Sequence, residues 1–264
     1  MNDNAHVLDC EVEAGIAKVW LARPERRNAL DHTLLTRLGI ELQRLDRDPA
    51  VQVIVLGGRG KAFCAGADLH WMQRAADFDR NQNIEDAGVL AQLLRTFDSL
   101  STPIIARVHG SCYAGATGLV AACDIAIASD DSRFCFSEVK IGLVPATISP
   151  YVLRAMGYRK ALQHMLLADV FDAATACADG LINEVVPAEQ LDLRIAALAK
   201  LLQGAGPQAL GETKRLLREV AGKTIDDQLT RRTIECIADM RVSPEGREGI
   251  RALLANETPS WRRS

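Results

Sequence analysis

Three short strand-forming runs, Val51 to Leu56, Ile104 to Val108 and Asp124 to Ala128, are separated by longer stretches with helical spacing. Strands this short and this apolar are covered on both faces, and helices crossing between parallel strands supply that cover. The alternation therefore predicts an α/β fold with buried, mostly parallel strands. Ahead of it, His6 to Val12 and Gly15 to Leu21 read as a hairpin turning at Glu13-Ala14-Gly15. The first crossover helix should start at Asp31, a capping residue, and bury Leu34, Leu35, Leu38, Leu42 and Leu45. A polar helix is expected over Ile84 to Leu100, and a Gly and Ala stretch runs from Gly110 to Ala122.

Beyond Pro150 the strand signal nearly vanishes, apart from Leu181 to Val186. Leu191 to Leu202, Pro207 to Val220, Asp226 to Asp239 and Pro244 to Leu254 each carry Leu, Ile or Ala at helical spacing. Gly204-Ala205-Gly206-Pro207 marks a soft boundary, dividing the chain into 1–204 and a helical region, 205–264. Four amphipathic helices after an α/β body either cover that body or build a subunit interface.

At 264 residues the chain buries roughly three quarters of the surface its unfolded form exposes, so its core needs neither disulfide nor metal. A net charge of −3 and a pI of about 6.0 leave no broad cationic face, which argues against nucleic acid or an anionic membrane as main partner. The longest apolar stretch, Gly118 to Ala128, is 11 residues and is broken by Asp124, whereas a spanning helix needs about 20. MNDNAHVLDC has no basic segment followed by an apolar core, so no secretory signal is expected. Seven scattered cysteines without a C-x-x-C pair fit a reducing compartment, and a cytoplasmic location is expected.

Chemistry is sought first where backbone N–H groups lie bare. Gly57 to Asp68, GGRGKAFCAGAD, follows a buried strand, yet Phe63 stands where a dinucleotide fingerprint needs its third glycine, and no G-K-[ST] is present. Ala114-Gly115-Ala116-Thr117-Gly118 brings Gly115 to a helix N-terminus, where N–H groups bind anions. Taken alone, each loop reads first as a tight turn or a close packing contact. Glu138 sits among apolar neighbours, where a carboxylate either has a chemical role or pairs with Lys140 or Arg133. Histidines 6, 32, 70, 109 and 164 form no metal-binding pattern, and Asp68 has a simpler reading as a helix cap.

Taken together, RPERRNAL (Arg23 to Leu30), KAFCAGADLHWM (Lys61 to Met72), IARVHGSCYAGATGLVAACD (Ile105 to Asp124) and FSEVKIGLVP (Phe136 to Pro145) resemble the crotonase, or enoyl-CoA hydratase and isomerase, superfamily. The tail Ser243 to Trp261 also fits. The resemblance implies a spiral of ββα units holding CoA and the active site, a C-terminal helical trimerisation region, and trimers that often pair into hexamers. It implies an acyl-CoA thioester substrate, with CoA part of the substrate and no separate cofactor or metal.

By the same resemblance the backbone N–H groups of Ala67 and Gly115 hold the thioester oxygen. Ala65 to Leu69, including Asp68, cradles the adenine end, Arg23 and Lys61 meet the CoA phosphates, and Gly118 is among the substrate-binding positions. Hydratases of this kind generally use two glutamates. Here one matches Glu138, but 20 residues earlier the other matches Gly118. Glu138 is then left to act alone, as acid and base of a hydration or as proton shuttle of a Δ3,Δ2-isomerase. FCAGADLHWM with SEVKIGLVPATISPYV is similar to hydratases of 3-methylglutaconyl-CoA and isohexenylglutaconyl-CoA, which act in leucine and terpene breakdown. Their substrates carry a second carboxylate, for which Lys140, His70 and Arg74 are the nearby basic groups, each also readable as a solvated surface residue. A non-catalytic acyl-CoA-binding trimer is the remaining alternative.

Overall fold

The computed structural model describes residues 6–262. Residues 1–5, on which the reading of the N-terminus partly rests, lie outside them. The chain opens with the hairpin β1 (Leu8–Glu13) and β2 (Ile16–Leu21), paired antiparallel from Leu8 opposite Leu21 to Glu13 opposite Ile16. Glu13 stays in the strand, so the turn is only Ala14-Gly15. Both have positive φ, 47° and 81°, the combination that matches the twist of a two-residue hairpin.

Helix α1 (His32–Asp46) crosses to β3 (Val53–Gly58), parallel to β2. The Asp31 carboxylate caps α1 by accepting from Leu34 N, and all five predicted leucines are buried. Strand β3 runs two residues past the predicted end. Trp20 covers Gly57 so closely that a Cβ there would meet its ring, and one on Gly58 would meet the Phe63 and Ala62 carbonyls. The two glycines therefore extend the strand under its neighbours.

Next come α2 (Leu69–Ala75) and α3 (Arg80–Ser99), which starts earlier than predicted because Asp79 and Gln82 form a reciprocal capping box. From here successive strands alternate between two sheets. β4 (Ile104–Val108) and β6 (Ile125–Ser129) join the large sheet, whereas β5 (Ser111–Tyr113) and β7 (Arg133–Cys135) join a small one. The chain switches sheets at Gly110 (φ +58°), where any Cβ would collide with the Lys61 carbonyl. Helix α4 (Gly115–Ala122) completes the β4, β5 and α4 unit. The result is the α/β spiral.

Helices α5 (Ser149–Met156) and α6 (Tyr158–Leu167) precede β8 (Phe171–Asp172), which pairs antiparallel with β7. Helix α7 (Ala173–Ala178) leads to β9 (Glu184–Val186), the last strand of the large sheet, whose order is β1-β2-β3-β4-β6-β9. The predicted strand over Leu181 to Val186 forms only in its second half, because Leu181 N and Ile182 N return to the Ala176 carbonyl.

Helix α8 (Leu191–Gln203) covers one face of this sheet, burying Leu191, Ile195 and Ala199 against Val53, Val55, Ile105 and Ile127. Helices α1, α3 and α4 cover the other. Helices α9 (Pro207–Val220), α10 (Asp227–Val242) and α11 (Pro244–Ala255) complete the chain. Among the described residues no helix is long and apolar enough to cross a membrane.

Candidate active site

Three chain segments are bound edge to edge by backbone hydrogen bonds. Leu30 N donates to the Gly66 carbonyl at 2.7 Å, and Asp68 N donates to the Leu30 carbonyl at 2.8 Å. On the other side Cys64 N donates to Ser111 O and Tyr113 N to Cys64 O, joining the turn to β5. In this parallel pairing Gly66 and Asp68 face Leu30 with their polar groups, so the N–H of Ala67 between them is turned away. Among the described residues it has no acceptor.

Gly115 opens α4, and its N–H is one of the orphan donors that every helix leaves at its start. It too has no acceptor among the described residues. The two bare donors belong to touching turns. A Cβ on Gly66 would lie 3.2 Å from the Tyr113 carbonyl oxygen, and one on Gly115 would lie 3.3 Å from Leu30 Cδ1. Ala114, just before Gly115, holds φ of 49°, which is costly for a residue with a Cβ, and its N–H is fixed by Cys135 O at 2.8 Å.

That bond ties the donors to β7, and three residues beyond Cys135 comes Glu138 at the head of a 3-10 turn, Glu138–Ile141. Glu138 is half-buried, and its Oε2 is buried with no hydrogen-bond partner among the described residues. Burial pushes the carboxyl pKa above the ordinary glutamate range, opposed only by a hydrogen bond from its own backbone N–H. The pairing that would have made this residue structural does not form. Arg133 donates instead to the Ser132 carbonyl at 2.8 Å, and Lys140 is exposed.

Gly118 is not open to a ligand. It is buried in α4, and a Cβ there would lie 2.6 Å from Ile148 Cβ. Ile148 itself is 1% exposed. The expectation that Gly118 meets the substrate does not hold, because the side chain of Ile148 covers it.

Arg23 is corrected as well. It is buried, and its guanidinium donates to the Ala29 carbonyl at 2.9 Å, to Asp31 at 2.7 Å and to Asp68 at 3.0 Å. These bonds hold the first turn to the second, leaving the group no face for a phosphate. The Asp68 carboxylate is equally committed. One oxygen accepts from His70 N and Trp71 N, capping α2, and the other accepts from Arg23 and Arg26. Burial pushes its pKa up, but the Arg26 hydrogen bond, the two backbone bonds and the Arg23 charge outweigh that and hold it below the usual range. Asp68 thus shapes the turn. Lys61 and Leu69 are exposed and Ala65 is half-buried, so these three remain on the surface beside the donors.

Asn28 was not singled out from the sequence, although it organises the same turn. Fully buried at φ of 56°, it accepts from Arg23 N and donates to the carbonyls of Arg59, Ala62 and Phe63. Its place between the arginines Arg26 and Arg27 and the apolar pair Ala29 and Leu30 was the one available signal. His70, Arg74 and Lys140 are all exposed, and no group of His, Cys, Asp and Glu among the described residues could hold a metal.

The sequence profile of the enoyl-CoA hydratase/isomerase family matches residues 11–263. The chain belongs to that family. A solved enoyl-CoA hydratase of Shewanella pealeana superposes with a TM-score of 0.94 at 39% identity, over 97% of this chain and 96% of the other. A candidate enoyl-CoA hydratase/isomerase (crotonase) of Legionella pneumophila gives 0.91 at 44% identity, over 97% and 98%. A candidate enoyl-CoA hydratase of Thermus thermophilus is 35% identical over 95% of this chain and 99% of its own. In this member of the enoyl-CoA hydratase/isomerase family, the site offers two bare N–H donors and one carboxylate with a raised pKa. Such a set can stabilise charge on an oxygen and move a proton.

Proposed function

We propose that the protein adds water across the 2,3 double bond of a glutaconyl-type enoyl-CoA. The thioester oxygen accepts from Ala67 N and Gly115 N. As water oxygen bonds to C3, Glu138 takes a proton from that water, and the electron pair of the double bond moves onto the thioester oxygen as an enolate. Glu138 then returns the proton to C2, which restores the thioester. One carboxylate serving both carbons delivers both groups to the same face.

The observation that carries this reading is the Glu138 oxygen, buried and unpartnered, on the segment whose strand anchors the α4 donor. A fixed donor aimed at a developing oxyanion is worth about 3 kcal/mol of barrier. The reaction consumes no resident cofactor, since CoA arrives with the substrate. Lys61 meets a CoA phosphate, and the Ala65 to Leu69 edge receives the adenine. The glutaconyl-type acyl group is supported by the wording of Phe63 to Met72 and Ser137 to Val152. A homotrimer, alone or paired as a hexamer, is the proposed assembly. It is supported by apolar side chains left on the surface, with Tyr158 71%, Leu253 80% and Leu254 81% exposed.

The test supplies 3-methylglutaconyl-CoA, crotonyl-CoA and a 3-enoyl-CoA side by side, following enoyl absorbance and product mass. A gain of one water, fastest on the glutaconyl thioester, is expected. Conversion of the 3-enoyl thioester without water gain would make the protein an isomerase, and tight binding with no turnover of any of them would make it an acyl-CoA carrier.

A further inference from the structure

We propose that Thr117 is a positioning residue, whose side-chain hydroxyl turns the peptide between Ala114 and Gly115 so that the Gly115 N–H faces the acyl thioester. This rests on the acyl-CoA reading above.

In a planar trans peptide the carbonyl and the N–H point in opposite directions, so holding one aims the other. The Ala114 carbonyl accepts from Thr117 Oγ1 at 2.6 Å and from Thr117 N at 2.9 Å, both in the first turn of α4. The Gly115 N–H therefore leaves that turn the other way, out of the helix. Thr117 is fully buried, so its hydroxyl is screened from solvent. Threonine often bonds a carbonyl one turn back within its own helix. Here the carbonyl belongs to the residue before the helix, in the very peptide that carries the donor.

That peptide needs a hold. Ala114 lies at φ 49° and ψ −126°, the corner of a II′ turn, where glycine is favoured. Turning the peptide over would bring Ala114 toward the milder left-handed region, and Gly115, with no Cβ, accepts the φ that this demands. It would also point the donor into the helix, away from any ligand. Strain of this kind persists only where the surroundings over-determine it. Cys135 O holds the N–H of Ala114 at 2.8 Å on one side of its Cα, and Thr117 holds the carbonyl on the other. The first bond fixes where the turn sits, and the second fixes which way the next peptide faces.

The experiment binds butyryl-CoA, labelled with carbon-13 at the thioester carbonyl, to the whole protein and reads the carbonyl stretch by isotope-edited infrared spectroscopy. Butyryl-CoA is saturated, so it cannot be hydrated and the reading needs no turnover. Donors on the oxygen weaken the C=O bond, so in the wild type the stretch should fall below that of free butyryl-CoA. T117V keeps the shape and removes the hydroxyl. It should lose about half of that fall, since one of two donors is turned away, whereas T117S should keep it. On the glutaconyl thioester kcat should drop by up to roughly 10²-fold in T117V, with the dissociation constant of butyryl-CoA within a few-fold, because the donor acts on charge that develops later. A114G relieves the strain, so adding it to T117V should restore most of the fall, which it would not do for a packing defect at 117. T117A should read as T117V does, so the prediction survives if T117V folds poorly. A fall left whole in folded T117V or T117A would overturn the proposal and make Thr117 a core residue only. Its loss in T117S as well would also overturn it, because packing rather than the hydroxyl would then set the donor. No fall in the wild type would instead overturn the acyl-CoA reading, and this proposal with it.

Discussion

Strand β3 buries every residue from Val53 to Gly58, whereas α9 buries none, α10 only Cys236 and α11 only Ala252. Both regions are rich in Leu and Ile. In the body these side chains meet each other across the sheet, while in the last three helices Ile234, Val242, Leu253 and Leu254 stay half or more exposed. The body closes its own core, and its backbone can hold bare donors in place. The exposed apolar residues of the tail are where the proposed trimer would bury surface. Chemistry and stability should therefore respond to changes in the body, and association to changes in the tail.

The strongest challenge to this contrast is E138Q. Removing the single acid and base should lower turnover by roughly 10²- to 10⁴-fold, with acyl-CoA binding retained in a titration. Retained turnover would take the chemistry away from Glu138. The wild-type rate should also fall on acidification with a midpoint above the ordinary glutamate range, since the base must be ionised and burial raises its pKa. For stability the sign is the reverse of an ion-paired acid. Between the unfolded pKa and the raised folded one, the folded state holds the extra proton, so stability declines as pH rises through that window. E138Q should flatten this slope in denaturant titrations across pH, and a slope unchanged by the substitution would deny the burial cost.

Next in size is N28A, which strands the Arg23 N–H and three carbonyls in the interior. A loss of about 3 kcal/mol is expected in urea unfolding, since each buried unsatisfied group costs about 1–3 kcal/mol. The smallest effect on folding belongs to the tail. The double change L253D and L254D should alter unfolding by no more than about 0.5 kcal/mol per site, as surface changes do. In sedimentation, however, it should release smaller species. A tail variant that unfolds the body, or leaves the assembly intact, would erase the contrast.

Much of the body could be read in the sequence because its signals are local. Five leucines at helical spacing behind Asp31 define α1, and β3, β4 and β6 are short apolar runs that the helices cover. The small sheet could not be read this way. Its strands, 111–113, 133–135 and 171–172, are two or three residues long, and they extend because Cys64 and one another offer them partners. At the site, the glycine turns and Glu138 stood out, but the state of each group depends on distant residues. Whether Ala67 N is bare depends on Leu30, and whether Gly118 is open depends on Ile148. Arg23 had the charge expected of a phosphate contact, and only its burial against Asp31 and Asp68 reveals a tie between turns.

The pairing of Leu30 with Gly66 and Asp68, and of Cys64 with Ser111 and Tyr113, leaves the Ala67 donor no hinge of its own. To swing it aside, the protein must break ladders that lead directly into α1 and the small sheet. Heat inactivation should then coincide with global melting, and the Gly66 and Asp68 neighbourhood should exchange its amide hydrogens as slowly as the strands. The turn that holds this donor offers no soft hinge to be stiffened, so gains in thermal endurance are to be sought in the rest of the molecule.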